Sequence, residues 1–142
     1  MGRRDAAYRL RLAQGFLNEA HQDLDLGRWR SVMDNAQLAV ENAAKAVLAL
    51  LGPVGRTHNP AVQLRRALGD GLFAAPEDDR VQRLTELAEL LGPDVHIQTD
   101  YGDEAGGLTP WELFDEEDAR QALDIAGEAV ELAVAVVGRL TQ

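Results

Sequence analysis

The residues from Trp29 to Leu51, WRSVMDNAQLAVENAAKAVLALL, limit what this chain can fold into more than any other stretch. At about 100° per residue on a helical wheel, Trp29, Val32, Met33, Ala36, Val40, Ala43, Ala44, Val47, Leu50 and Leu51 share one broad apolar face. Asp34, Gln37, Glu41 and Lys45 fall beside it, within an arc of about 80° by the same geometry. The back of the second half is not polar either, since it carries Leu38, Ala39, Ala46 and Ala49. A helix that is apolar nearly all round belongs inside a bundle. Polar groups on such a helix need partners. Asp34, Gln37 and Glu41 therefore read as a structural polar cluster, with Lys45 at its end.

The rest of the chain supplies helices to surround this one. From Asp5 to Leu26, the spacing of Leu10, Ala13, Leu17, Ala20 and Leu24 predicts a helix, and Gly27 stops it. The central helix must end at Gly52-Pro53. Asn59-Pro60 opens a short third helix, with Asn59 as cap and Pro60 in the first helical position, anchored by Leu64 and Leu68. Pro76 begins a fourth, with Val81, Leu84, Ala88 and Leu91 on one face. Gly92–Leu108 reads as a long loop. Thr109-Pro110-Trp111-Glu112 is a capping box over one short turn. Asp115 then caps a last helix whose stripe runs from Ala119 to Leu140. Strand signals are weak throughout. The fold class expected is all-α: an up-and-down antiparallel bundle of four long helices plus short helices, in a single domain over residues 1–142.

Composition closes off several functions. There is no cysteine, so disulfides, thiolate metal sites and cysteine nucleophiles are excluded. The first residues are charged and periodic, without the apolar run of a signal peptide, and Ala129–Val137 is too short to cross a bilayer. A cytoplasmic location, with no membrane partner, is expected. Nine of the 24 acids lie between residues 92 and 118, where there is no Lys or Arg; the other 15 nearly balance the 14 bases. An acidic segment of this kind repels phosphates and argues against nucleic acid as a ligand.

The central stretch also carries a resemblance. Ala36-Gln37-x-Ala39-Val40-Glu41-x-Ala43-x-Lys45-Ala46, followed by Gly52 and then His58 before an apolar helix, resembles the HEPN domain (higher eukaryotes and prokaryotes nucleotide-binding). Ala20-x-x-Asp23-Leu24 and Gly27-x-Trp29 extend the likeness upstream, and Asp118-Ala119 before the last helix extends it downstream. It covers roughly residues 7–137. Thr99-Asp100-Tyr101-Gly102-Asp103 stands where relatives often show Arg-Tyr-Pro-Asp, so Asp100 reverses a charge there. The resemblance implies an all-α bundle, commonly a homodimer, often paired with a minimal nucleotidyltransferase as toxin and antitoxin. Other relatives cleave RNA, using an Arg, four to six intervening residues, and a His. None of His21, His58 and His96 has an Arg at that spacing; His58 has only Arg56, one residue removed.

Three side chains are candidates for binding a nucleotide. Lys45 is the single lysine beside thirteen arginines, and its compact ammonium suits a phosphate. The plainer alternative is an i,i+4 pair with Glu41. His58 can bond Glu41 and tie the third helix to the second, or act as an acid or base near neutrality. Arg56 beside it can hold an anion or stay solvated. His96 with Asp94, Asp100 and Asp103 has oxygen ligands suited to a hard cation, but the spacing fits no calcium loop. A solvated acidic loop or a basic protein partner is the better use of that charge, and no metal or cofactor is expected. The expected function is a non-catalytic dimeric binding module paired with a nucleotidyltransferase. The alternatives are a divergent ribonuclease using Arg56, His58 and Glu41, or direct nucleotide binding at Lys45.

Overall fold

The computed structural model describes residues 2–142. Seven helices lie among them: α1 (Gly2–Asp25), α2 (Trp29–Ala49), α3 (Pro60–Gly69), α4 (Glu77–Leu90), α5 (Pro93–Tyr101), α6 (Pro110–Leu113) and α7 (Glu116–Leu140). Helices α1, α2, α4 and α7 are the four long ones, and no strand is formed among the described residues. Helix α2 contacts all six others and so occupies the centre. Among the described residues, no helix is long and apolar enough to cross a membrane.

Small side chains set how closely the long helices approach. Ala6, Ala13 and Ala20 on α1, Ala36, Ala43 and Ala44 on α2, and Ala119, Ala126 and Ala133 on α7 have no exposed surface. Interaxial distance depends on the side chains at the contact, so rows of alanine let three helix backbones close on one another. Branched residues fill what remains: Val32, Val40, Leu64, Val81, Leu84 and Val136 are completely enclosed. The apolar run Ala129–Val137 is used inside the bundle, where Ala129, Val130, Ala133, Val136 and Val137 are buried, while Val134 is half-exposed.

Turn chemistry fixes the order of these helices. Gly27 takes φ +71°, and the Arg28 N–H reaches back to the Asp23 carbonyl at 2.9 Å, closing α1 with a Schellman-type bond. The chain then reverses directly into α2. At the other end, Asp115 Oδ1 accepts from the Asp118 N–H at 2.9 Å while Asp118 Oδ2 accepts from the Asp115 N–H at 3.1 Å. This reciprocal box starts α7, with Glu116 and Glu117 also in its first turn.

Two expectations need correction. Residues 92–108 are not one loop, because Pro93–Tyr101 forms α5. Gly92-Pro93 interrupts α4 but places Pro at the first position of a new helix, where its fixed φ helps. Only Thr99 of α5 is fully buried, so no apolar stripe announces the helix. Gly102 ends it at φ +68°, packed so close to the Leu108 carbonyl that any Cβ would collide. An antiparallel bridge between Asp103 and Leu108 then closes the remaining turn. Asn59 occupies the cap position of α3 without bonding through its side chain; instead its own N–H donates to Thr57 Oγ1 at 3.0 Å.

Helix α4 is tied to α7 by Arg83, whose Nε and Nη2 reach the two Glu128 oxygens at 2.7 and 3.0 Å. That fork holds the Glu128 carboxyl below the usual carboxylate range. A lowered native pKa adds stability above the ordinary carboxylate range and loses it as pH falls through the lowered range. The pair is exposed, so Glu128→Gln is expected to cost no more than about 1 kcal/mol at neutral pH. Urea unfolding at a series of pH values should show the difference from wild type vanishing as pH falls through that lowered range.

Candidate functional site

The polar arc of α2 faces the segment that joins it to α3 and the start of α5. Glu41 lies at its centre with its side chain only 6% exposed. Lys45, one turn further on, places Nζ 3.2 Å from Glu41 Oε2 and is itself 8% exposed. His58, just before α3, places Nδ1 3.3 Å from Glu41 Oε1. Both carboxylate oxygens are thus occupied by partners from this chain. A carboxylate can only accept, so this geometry needs the proton on His58 Nδ1 and leaves Nε2 as the free ring nitrogen. The His58 side chain is 68% exposed.

A second layer forms where α5 packs on α2. The ring of His96 stacks on that of His58 with centroids 5.5 Å apart and planes within 12°. The His96 carbonyl accepts the Thr99 hydroxyl at 2.7 Å, and the same hydroxyl lies 3.4 Å from Asp34 Oδ1. His96 Nδ1 is 4.0 Å from that Asp34 oxygen and has no hydrogen-bond partner among the described residues. Arg30, at the start of α2, donates through Nε to the Thr99 carbonyl at 2.6 Å. Its Nη2 reaches Asp100 at 3.5 Å, and its guanidinium lies 5.8 Å from the centre of the Trp111 ring. One connected edge therefore runs from Lys45 past Glu41, His58, His96 and Thr99 to Arg30 and Trp111.

The residues singled out in the sequence do not all join this edge. Glu41, Lys45, His58 and Asp34 do. Gln37 is buried beside them with 1% exposure, and its Oε1 finds no donor among the described residues. Arg56 is exposed and takes no part in the bonds that hold His58. Asp94, Asp100 and Asp103 do not gather round His96, and no group of three or more His, Asp or Glu side chains among the described residues could hold a metal ion. Sequence reasoning missed Thr99, Arg30 and the pairing of the two imidazoles. Had residues 93–101 been read as a helix, His96, Thr99 and Asp100 at i, i+3 and i+4 would have fallen on one face.

Chemically, the arrangement offers a buried carboxylate orienting one accessible imidazole. That is half of a general-base device. An all-α bundle whose central helix buries a carboxylate–ammonium pair under a histidine is the class the structure defines. The HEPN domain model matches residues 6–137, nearly the whole chain, and the chain belongs to that family. The crystal structure of TT1696 from Thermus thermophilus shares the fold, with a TM-score of 0.68 over 96% of this chain and 99% of that one. At 23% identity the likeness speaks for the fold alone. No curated protein matches.

The Thr99 hydroxyl is the pin of the second layer. Thr99→Val keeps the volume but removes the bond to the His96 carbonyl, and is expected to cost about 1 kcal/mol in urea unfolding. The imidazole proton signals of both His58 and His96 should move in the NMR spectrum of this variant, because the rings are stacked.

Proposed function

We propose that this HEPN-domain protein is a non-catalytic, homodimeric, cytoplasmic binding module that acts by pairing with another protein. By resemblance, that partner is a minimal nucleotidyltransferase in a toxin–antitoxin-like arrangement. The observation that carries the reading is that both oxygens of buried Glu41 are engaged within the chain: Lys45 meets one and His58 the other, at 3.2 and 3.3 Å. Engagement on both oxygens by its own chain supports a framework role for this group. Lys45 is likewise engaged, since its ammonium is enclosed against the Glu41 carboxylate and little of it is open to a phosphate.

One observation favours the ribonuclease reading, namely the exposed His58 ring backed by the Glu41 carboxylate. It stands second because Arg56, the cation that reading needs, is not drawn to the site.

Size-exclusion chromatography with light scattering at micromolar concentration is expected to give a dimer, and a monomer counts against the proposal. Purified protein incubated with total RNA is expected to leave it intact. Cleavage by wild type that disappears in His58→Ala would promote the ribonuclease reading, and calorimetric heat with ATP or GTP that disappears in Lys45→Ala would promote nucleotide binding.

A further inference from the structure

Helix α1 carries its charges in two blocks. From Gly2 to Gln14 it holds Arg3, Arg4, Arg9 and Arg11 against Asp5 alone; from Gly15 to Asp25 it holds Glu19, Asp23 and Asp25 and no Lys or Arg. A helix dipole favours the reverse order, acids at the start and bases at the end. Arg9 is paired with Asp5 at 3.9 Å, but Arg4, Arg11, Glu19 and Asp25 form no salt bridge among the described residues. The order of charge along α1 therefore does not serve the stability of α1 itself.

These charges lie on the side turned away from the core. Ala6, Ala13, Leu17 and Ala20 are the buried positions. At about 100° per residue, Arg4, Tyr8, Arg11, Asn18, Gln22 and Asp25 fall opposite them, with Gly15 in the middle of the row, and all are exposed. Steps of four and three alternate along this row, which is the 3.5-residue period of a seam between two helices. Glycine inside a helix is less stable than alanine, yet a Cβ at Gly15 would meet nothing within 4 Å. The bundle itself does not require a glycine there, whereas a second backbone could approach most closely at that point.

The surface beside α1 is charged in the same sense. Arg3 and Leu140 line one cavity, so α1 begins where α7 ends. Helix α7 carries Glu116, Glu117 and Asp118 in its first turn and Arg139 in its last. A second copy laid parallel would set like charge on like, whereas an antiparallel copy sets basic on acidic at both ends. A two-fold copy brings the matching charges at the matching spacing by construction. Nucleic acid would be repelled by the acidic half, and a lipid surface would need an apolar row where this one is polar.

We infer that two copies of this chain pair antiparallel through the exposed side of α1, crossing at Gly15. Residues equidistant from the crossing then meet. Arg11 of each copy faces Glu19 of the other, Arg4 reaches Asp25 and Leu26, and Tyr8 lies against Gln22. This assignment rests on the reading of the protein as a homodimer, and names the face and the orientation.

Sedimentation equilibrium of the full chain tests it. Wild type is expected to be a dimer whose dissociation constant rises with salt. Arg11→Glu and Glu19→Arg each set like charges across the crossing, and each should raise that constant about tenfold or more. Mixed in equal amounts, the two variants should dimerise again, because every glutamate then faces an arginine. The double variant carrying both changes should recover on its own. Recovery guards against misfolding of either variant, with circular dichroism as a second check. The chain has no cysteine, so Gly15→Cys supplies a single thiol, expected to form an intermolecular disulfide under mild oxidation. Single variants as dimeric as wild type, no recovery on mixing, or no disulfide overturns the α1 assignment and leaves the dimer to another face. A monomeric wild type removes the homodimer reading and this inference with it.

Discussion

The pairing of Glu41 with Lys45 inside the bundle is the constraint on which the other features depend. Both side chains are more than nine-tenths enclosed and project from the one helix that touches every other. Withdrawing two charges from water costs several kcal/mol per ion, and only close geometry with further hydrogen bonds offsets this. The chain supplies the geometry through a one-turn separation along α2 and the further bond through His58. The segment between α2 and α3 is thereby held against α2, and α3 starts from a defined point. Loss of either partner leaves a stranded charge in the core.

From that pair the order extends outward. His58 carries the ring of His96, His96 is pinned through Thr99 near Asp34, and Thr99 anchors Arg30 beneath Trp111. Each link is a contact of ordinary strength, yet together they connect the middle of the bundle to an exposed aromatic surface. The arrangement suits a protein that presents a rigid face, because the side chains along the edge are engaged with each other. His58 is the more exposed of the two stacked rings on this edge, with 68% of its side chain accessible against 32% for His96.

Much of the architecture was legible because long helices carry periodic signals. The stripes of α1, α2, α4 and α7 were visible in residue order alone, since their burial patterns repeat every turn, and so was the cap at Asp115. Helix α5 was not, because it packs on α2 with only Thr99 enclosed, and a helix without a buried stripe leaves no periodic trace. The site suffered for the same reason. The Glu41–Lys45 spacing and a bond from His58 could be read along the chain. His96 was assigned to an acidic loop, whereas its neighbours in space are His58 and Asp34, residues 38 and 62 positions away. Contacts so remote in sequence are fixed by tertiary packing, as is the lack of a donor for Gln37 Oε1 among the described residues.

The claim that the buried pair is framework can be tested most directly by a double-mutant cycle, with Glu41→Leu, Lys45→Met and the combined variant compared by urea unfolding. Each single change is expected to cost about 3–5 kcal/mol, because it strands the other charge. The combined variant, with two apolar side chains of similar volume, should lose far less than the sum and stay folded. Additive losses, or a Lys45→Met variant as stable as wild type, would contradict the account.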